Sequence, residues 1–136
     1  MRIVLDTNVF ISGIFLGGPP SKILELWRQS HIRIILTKEI VQEYQRVGEE
    51  LSAKYTQINI EPIIDLFTIF GEFVETKGFS ENICIDPDDN KFIECAAASQ
   101  SKIIVSGDKH LLDISGYKGI EVIKPRKFID HYINGQ

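Results

Sequence analysis

The chain begins with Arg2-Ile3-Val4-Leu5, a short β-branched apolar run that stops at Asp6. Branched side chains favour extended backbone, and a run without polar alternation must be covered on both faces. Such a segment reads as a buried strand of a parallel sheet, and parallel neighbours require helical crossovers. A carboxylate directly after it sits on rigid backbone at the carboxyl end of the sheet, where α/β folds build their sites. Because Asp6 cuts the apolar stretch so early, the segment does not read as a secretory leader.

The rest of the chain alternates in the way that first strand demands. Val9 to Leu16 continues apolar, and Gly17-Gly18-Pro19-Pro20 breaks it. Ile23, Leu24 and Trp27 recur at helical spacing, predicting a helix over 21–29. Arg33 to Leu36 reads as a second strand, and Thr37 as the cap of a helix from Lys38 to about Lys54. Asn59 is placed to cap a further helix with Pro62 in its first turn and Ile63, Ile64, Phe67 and Phe70 as its apolar face. A strand at Phe73–Thr76, a loop over 77–85 and a helix from Asp86 through Ser99 follow. Strands at Lys102–Ser106 and Gly119–Ile123 and a terminal helix from Pro125 complete the order. This alternation predicts one α/β domain over residues 1–136, a three-layer α/β/α sandwich around a central parallel sheet.

Composition narrows the function classes. The net charge of −4 argues against a protein that simply wraps nucleic acid electrostatically, but not against an acidic pocket offset by cations. Cys84 and Cys95 have no close-spaced partner or nearby histidine. That argues against a disulfide scaffold or zinc site and fits a reducing cytoplasm. No apolar run approaches the ~20 residues of a membrane span.

The acids that could carry chemistry each have an ordinary reading. Asp6-Thr7-Asn8 is a strand-to-helix corner where all three residue types serve as caps. Glu43 borders the apolar stripe of Ile40, Tyr44 and Val47, whereas helix glutamates are usually solvated. In Asp86-Pro87-Asp88-Asp89, capping and the helix dipole explain one or two acids. A third adds repulsion and points to a cation nearby. Asp89 shares a helical face with Phe92 and Ile93 and should look toward the sheet; Asp86 is a cap or outer support. Ser106-Gly107-Asp108-Lys109 is either an ordinary turn or a hydroxyl and carboxylate presented at the mouth of the sheet.

If Asp6, Glu43, Asp89 and Asp108 converge, they form an oxygen-only donor set suited to Mg²⁺ or Mn²⁺. Crowded carboxylates without such an ion should have raised pKa values. A divalent ion activates water and neutralises a leaving oxygen, the requirements of phosphodiester hydrolysis. No serine–histidine or cysteine–histidine arrangement competes, and Gly17-Gly18 forms no phosphate loop.

The sequence resembles the PIN-domain ribonucleases. The matching segments are Ile3-Val4-Leu5-Asp6-Thr7-Asn8-Val9, Glu43-Tyr44-Gln45-Arg46-Val47, the run from Asp86 to Ala96, and Ile104-Val105-Ser106-Gly107-Asp108-Lys109. The branch most similar is the VapC-like group, the toxin components of toxin–antitoxin pairs. Where those toxins often carry alanines after the third acid, this chain has Phe92-Ile93-Glu94-Cys95. The resemblance implies a Mg²⁺ or Mn²⁺ site in which Asp6 and Asp89 hold the principal ion. Glu43 and Asp108 would then complete the acidic ring, with Asn8, Ser106, Thr7 and Asp86 in support. It also implies an RNA substrate, an antitoxin partner and a homodimer. Phosphate contacts would come from Lys109 and His110 beside the site, or from the patch of Lys118, Lys124, Arg126 and Lys127, all of which also read as solubilising surface.

Three rivals remain. A receiver-like phosphoacceptor domain would share Ser106 and Lys124-Pro125, but its mid-chain aspartate is missing, since Asp65 lies inside an amphipathic helix. A haloacid-type phosphatase would want an aspartate where Asn8 stands. A catalytically inactive PIN-like module that binds RNA or a partner protein would keep the fold without the chemistry.

Overall fold

The computed structural model of the protein describes residues 1–55, 57–77 and 86–135. Five strands lie parallel in the order β3-β2-β1-β4-β5: β1 (Arg2–Leu5), β2 (Arg33–Leu36), β3 (Glu72–Phe73), β4 (Ile103–Val105) and β5 (Glu121–Ile123). The first strand is central, and its unbroken apolar run is covered on both faces. Ile3, Val4 and Leu5 are fully buried, and so are Ile34, Ile35 and Leu36 beside them. Helices cover both faces of this sheet, giving the expected α/β/α sandwich.

The chain winds from β1 outward to β3, then crosses back to β4 and β5. The helices of the outward journey are α1 (Thr7–Phe15), α2 (Pro19–Arg28), α3 (Lys38–Lys54) and α4 (Glu61–Phe70). The return journey carries α5 (Asn90–Ser99), which packs on β1, β2 and β4. Right-handed crossovers put α5 on the face opposite the others. Two short helices, α6 (Lys109–Leu112) and α7 (Pro125–Phe128), complete the set, and a single π-type turn over Ile129–Ile133 follows α7.

On the outward face, aromatic rings lock the helices together. Phe10 of α1 stacks on Tyr44 of α3 with centroids 4.1 Å apart, and Trp27 of α2 stacks on Phe67 of α4 at 4.2 Å. Phe10 meets Phe67 edge-on at 5.0 Å. Such pairs contribute about 0.5–1.5 kcal/mol each beyond the area they bury.

Several boundaries differ from the sequence expectation for local reasons. The prolines do not break the chain before α2; they begin it. Gly17 and Gly18 take φ of 84° and 72° to turn the chain, and Pro19 then occupies the first helical turn, where its missing N–H costs nothing. Asn59 accepts from Glu61 N at 3.1 Å but stands one residue outside the cap of α4, which is Ile60. Phe70 belongs to no buried face: α4 buries Ile64 and Phe67 and leaves Phe70 69% exposed. The helix expected from Asp86 is two pieces, a 3₁₀ turn over Pro87–Asp89 and then α5, because Asp86 accepts from Asp88 N and fixes a tighter turn. The strand expected over Phe73–Thr76 shrinks to Glu72–Phe73. Most of the expected loop, residues 78–85 with Cys84, lies outside the described residues. Cys95 is a buried free thiol. Among the described residues, no helix is long and apolar enough to cross a membrane.

Candidate active site

The strand order puts the carboxyl ends of β1 and β4 side by side where the winding direction reverses, the crevice in which open α/β sheets bind ligands. Asp6 follows β1 and donates its backbone N–H to Val105 O of β4 at 3.1 Å. Its side chain caps α1, accepting from Val9 N at Oδ1 over 2.8 Å. The ordinary reading of Asp6 as a cap is therefore correct, and the cap also fixes how the carboxylate points. Oδ2 accepts from the hydroxyl of Ser106, which is fully buried at the end of β4. That hydroxyl in turn accepts from Asp108 N at 3.0 Å, and Asp108 caps α6 through His110 N at 3.2 Å.

Asp89 comes from the opposite side, on the turn that leads into α5. Asp6, Thr7, Asn8, Glu43, Asp86, Asp88, Asp89 and Asp108 line one cleft of about 210 Å³, together with Arg46, Val47 and Phe92. The four acids singled out in the sequence therefore open onto one space, with Asn8 at its exposed rim. Ser106 acts from beneath.

The electrostatics of that space are unfavourable to bare carboxylates. Asp6 is 3% exposed, and burial pushes its carboxyl up to about 6, against the hydrogen bonds from Ser106 and Val9; Asp108 and Glu43 push it further up. Asp89 is raised to about 7, first by burial, then by a hydrogen bond with Asp108 and by the charges of Asp108, Asp86 and Asp6. Carboxylates crowded in this way resist ionising together, a penalty that a cation relieves.

Glu43 is differently placed. Its Oε2 accepts from the Thr7 hydroxyl and its Oε1 from Lys91 Nζ, with Arg46 Nη2 3.9 Å away. Lys91 is the residue that sequence reasoning missed. It lies two residues after Asp89 in an acid-rich segment, and that nearness was the available signal. Arg46, one helical turn beyond Glu43, was also passed over. Tyr44 next to Glu43 donates its hydroxyl to Leu5 O at 2.6 Å, tying α3 to the residue before Asp6.

Among the described residues, no group of three or more Asp, Glu, His or Cys side chains is disposed, as it stands, to hold a metal ion. Asp6, Glu43 and Asp108 each accept from a protein donor: Val9 N and Ser106, Thr7 and Lys91, and His110 N. The donor set nevertheless suits a hard divalent ion: it is all oxygen, its members repel one another, and each ionised carboxylate offers about four lone-pair sites, so Asp6 retains capacity after accepting from Val9 and Ser106.

The basic residues expected to contact phosphate do not line the acidic cleft. Lys124 and Lys127 line a separate cleft of about 570 Å³ with Leu112, Glu121, Asp130 and His131. Lys109 and His110 are exposed at the start of α6, and Arg126 and Lys118 are exposed farther on. Lys124 directly follows β5, so it shares the carboxyl edge of the sheet with Asp6 and Ser106. A larger cleft of about 880 Å³, near Arg2, Arg33 and Phe70, lies by the opposite ends of the strands. Size does not choose the site; convergent chemistry does.

Comparison with known proteins identifies relatives of the chain. Residues 2–110 match the family described as the PIN domain, a span that includes all four acids. The uncharacterized protein MJ1680 of Methanocaldococcus jannaschii is 34% identical over 146 residues, covering 97% of this chain and 92% of its own length.

Proposed function

The chain belongs to the PIN-domain family, whose members are in general nucleases, and from that premise we propose that it is a Mg²⁺- or Mn²⁺-dependent endoribonuclease acting on single-stranded RNA. The observation that carries the reading is that Asp6, Glu43, Asp89 and Asp108 open onto one cleft, with buried Asp6 at the β1–β4 seam. Three acids pressed together at a sheet's carboxyl edge weaken the fold unless a cation joins them, so selection for stability alone would not assemble them.

In this reading Asp6 and Asp89 hold the ion, and Asp108 and Glu43 complete the acidic ring. When bound, the ion would supply the charge that activates a water and neutralises the leaving oxygen. The residues do the rest. Ser106 and Val9 N–H keep the Asp6 carboxylate in one orientation. Asp108, which lines the same cleft, is the acceptor available to orient the attacking water. Asn8 at the exposed rim has an amide to offer a phosphate or ribose oxygen. Lys109, His110, Lys124, Arg126 and Lys127 are the cations available to guide an RNA backbone along the sheet edge, and with the acidic cleft they set the register of cutting.

The unit proposed is one nuclease domain over residues 1–136, with the toxin role of a toxin–antitoxin pair as its setting. Growth arrest on expression, lost in Asp89→Asn, tests that role. A silencing partner would act by placing a basic side chain among the carboxylates, and homodimerisation is a further expectation of the same branch. The decisive experiment is cleavage of single-stranded RNA by the purified protein with Mn²⁺ or Mg²⁺. Cutting should vanish with a chelator and in Asp6→Asn and Asp89→Asn. Cutting that survives the chelator and both substitutions would end the metal-nuclease reading. Metal-dependent RNA binding without cutting would favour an inactive module instead.

A further inference from the structure

Glu43 differs from the other acids of the cleft in having cations of its own. Lys91 Nζ sits on Oε1 and Arg46 Nη2 approaches the same oxygen at 3.9 Å, while the Thr7 hydroxyl takes Oε2. The Glu43 and Lys91 side chains are only 14% and 21% exposed, so water screens this pair far less than an ordinary surface ion pair. A divalent ion brought to Glu43 would meet the Lys91 ammonium at close range. Like charges so near oppose each other, and the position is already neutralised.

The partners of Glu43 are informative in their sequence positions. Thr7 immediately follows Asp6, and Lys91 is two residues beyond Asp89. Glu43 on α3 therefore grips the start of α1 with one oxygen and the start of α5 with the other. Those are the backbone segments that carry Asp6 and Asp89, and they come from opposite faces of the sheet.

We propose that Lys91 is the resident counter-cation of Glu43, and that Glu43 is a positioning residue that clamps the segment bearing Asp6 to the segment bearing Asp89. The divalent ion is then taken by Asp6, Asp89 and Asp108 without Glu43. This assignment rests on the metal-nuclease reading and refines it, since sequence resemblance placed Glu43 among the ligands.

The test is Mn²⁺ binding to the full chain, measured by titration calorimetry and by the Mn²⁺ electron paramagnetic resonance signal. Glu43→Gln keeps the length and hydrogen-bonding capacity of the clamp, so it should retain the wild-type stoichiometry with affinity little changed, while its kcat for RNA cleavage falls. Asp89→Asn removes a ligand outright and should lose well over about tenfold in affinity. Lys91→Met keeps the length and helix propensity but removes the charge. It leaves Glu43 free to turn to the cleft, so Mn²⁺ should bind about tenfold more tightly or with a second equivalent. Lys91→Arg should restore wild-type binding, and Lys91→Met with Glu43→Gln should cancel the gain. Glu43→Gln weakening Mn²⁺ as much as Asp89→Asn overturns the assignment. So does Lys91→Met binding like wild type while wild type depends on Asp89, and that result leaves the nuclease reading intact. Wild type that binds no Mn²⁺ overturns both. Thermal unfolding of each variant identifies any that has lost the fold, and Lys91→Gln then replaces Lys91→Met.

Discussion

The hydroxyl of Ser106 donates to the carboxylate of Asp6 and in doing so joins two residues separated by 100 positions. Because the same oxygen accepts from Asp108 N, one buried side chain sets the geometry of two acids across the β1–β4 seam.

Ser106→Ala removes that link and leaves Asp6 Oδ2 buried without its donor. Loss of a buried partner costs about 1–3 kcal/mol, so urea unfolding should show a drop of that size. The Ser106 hydrogen bond holds the Asp6 carboxyl down, so its pKa should climb above about 6 in the variant. The pH profile of RNA cleavage should then shift to higher pH. An unchanged profile would mean that Ser106 does not bear on the ionisation that matters.

Stability of the metal-free protein should depend on pH in an unusual direction. Asp6 at about 6 and Asp89 at about 7 lie above the ordinary aspartate value of 3.8, so the folded state takes up these protons before the unfolded one. Their stabilising contribution is complete below the unfolded value and is lost as pH rises through 6 and 7. The melting temperature in chelator should therefore rise as pH falls from about 8 to about 5. Asp89→Asn should be more stable than wild type at pH 8 and show a shallower slope. A flat wild-type profile would contradict the crowding of these carboxyls.

Divalent ions should reverse that trend. Protons and the ion compete for the same carboxylates, so Mn²⁺ should raise the wild-type melting temperature more at pH 8 than at pH 5. At a hundredfold excess over the dissociation constant the stabilisation is about 2.7 kcal/mol. Asp89→Asn should show a much smaller rise. Equal shifts in wild type and variant would argue against an ion at Asp89.

Tyr44→Phe tests the support behind the site. Burial keeps this hydroxyl protonated, well above the usual tyrosine range, and it donates to Leu5 O. Phenylalanine preserves the stack on Phe10 but leaves that carbonyl without the tyrosine donor. Chemical denaturation should report a loss of about 1–3 kcal/mol, and a loss near zero would mean that the strand end relaxes to find another donor.

Neutralising the basic edge should weaken RNA binding and spare the ion. Lys124→Ala with Lys127→Ala should raise KM, leave Mn²⁺ affinity as in wild type, and reduce the salt dependence of binding. Each phosphate that a lysine no longer neutralises lowers the salt slope by about one. An unchanged slope would place the RNA path elsewhere.

The burial of β1, the caps at Asp6 and Thr37 and the ends of β2 and α3 were legible in the sequence, because strand pattern and capping depend on residues a few positions apart. The same locality identified the acids worth considering: Asp6 and Asp108 stand just past strand ends, and Asp89 shares a face with Phe92. Local signals failed where geometry was finely balanced, as at Pro19-Pro20, which begin α2, and at Phe70, which the last turn of α4 turns outward. Tertiary structure alone decided that Ser106 reaches Asp6, that Asp89 opens onto the same cleft as Asp108, and that Lys91 rather than solvent faces Glu43. Those pairings exist because β4 lies beside β1 and because α3 and α5 close over one edge of the sheet. Long-range pairing leaves no periodic trace in a single chain, so a lysine inside an acidic motif could not be told from a solvated one until the fold brought it to its partner.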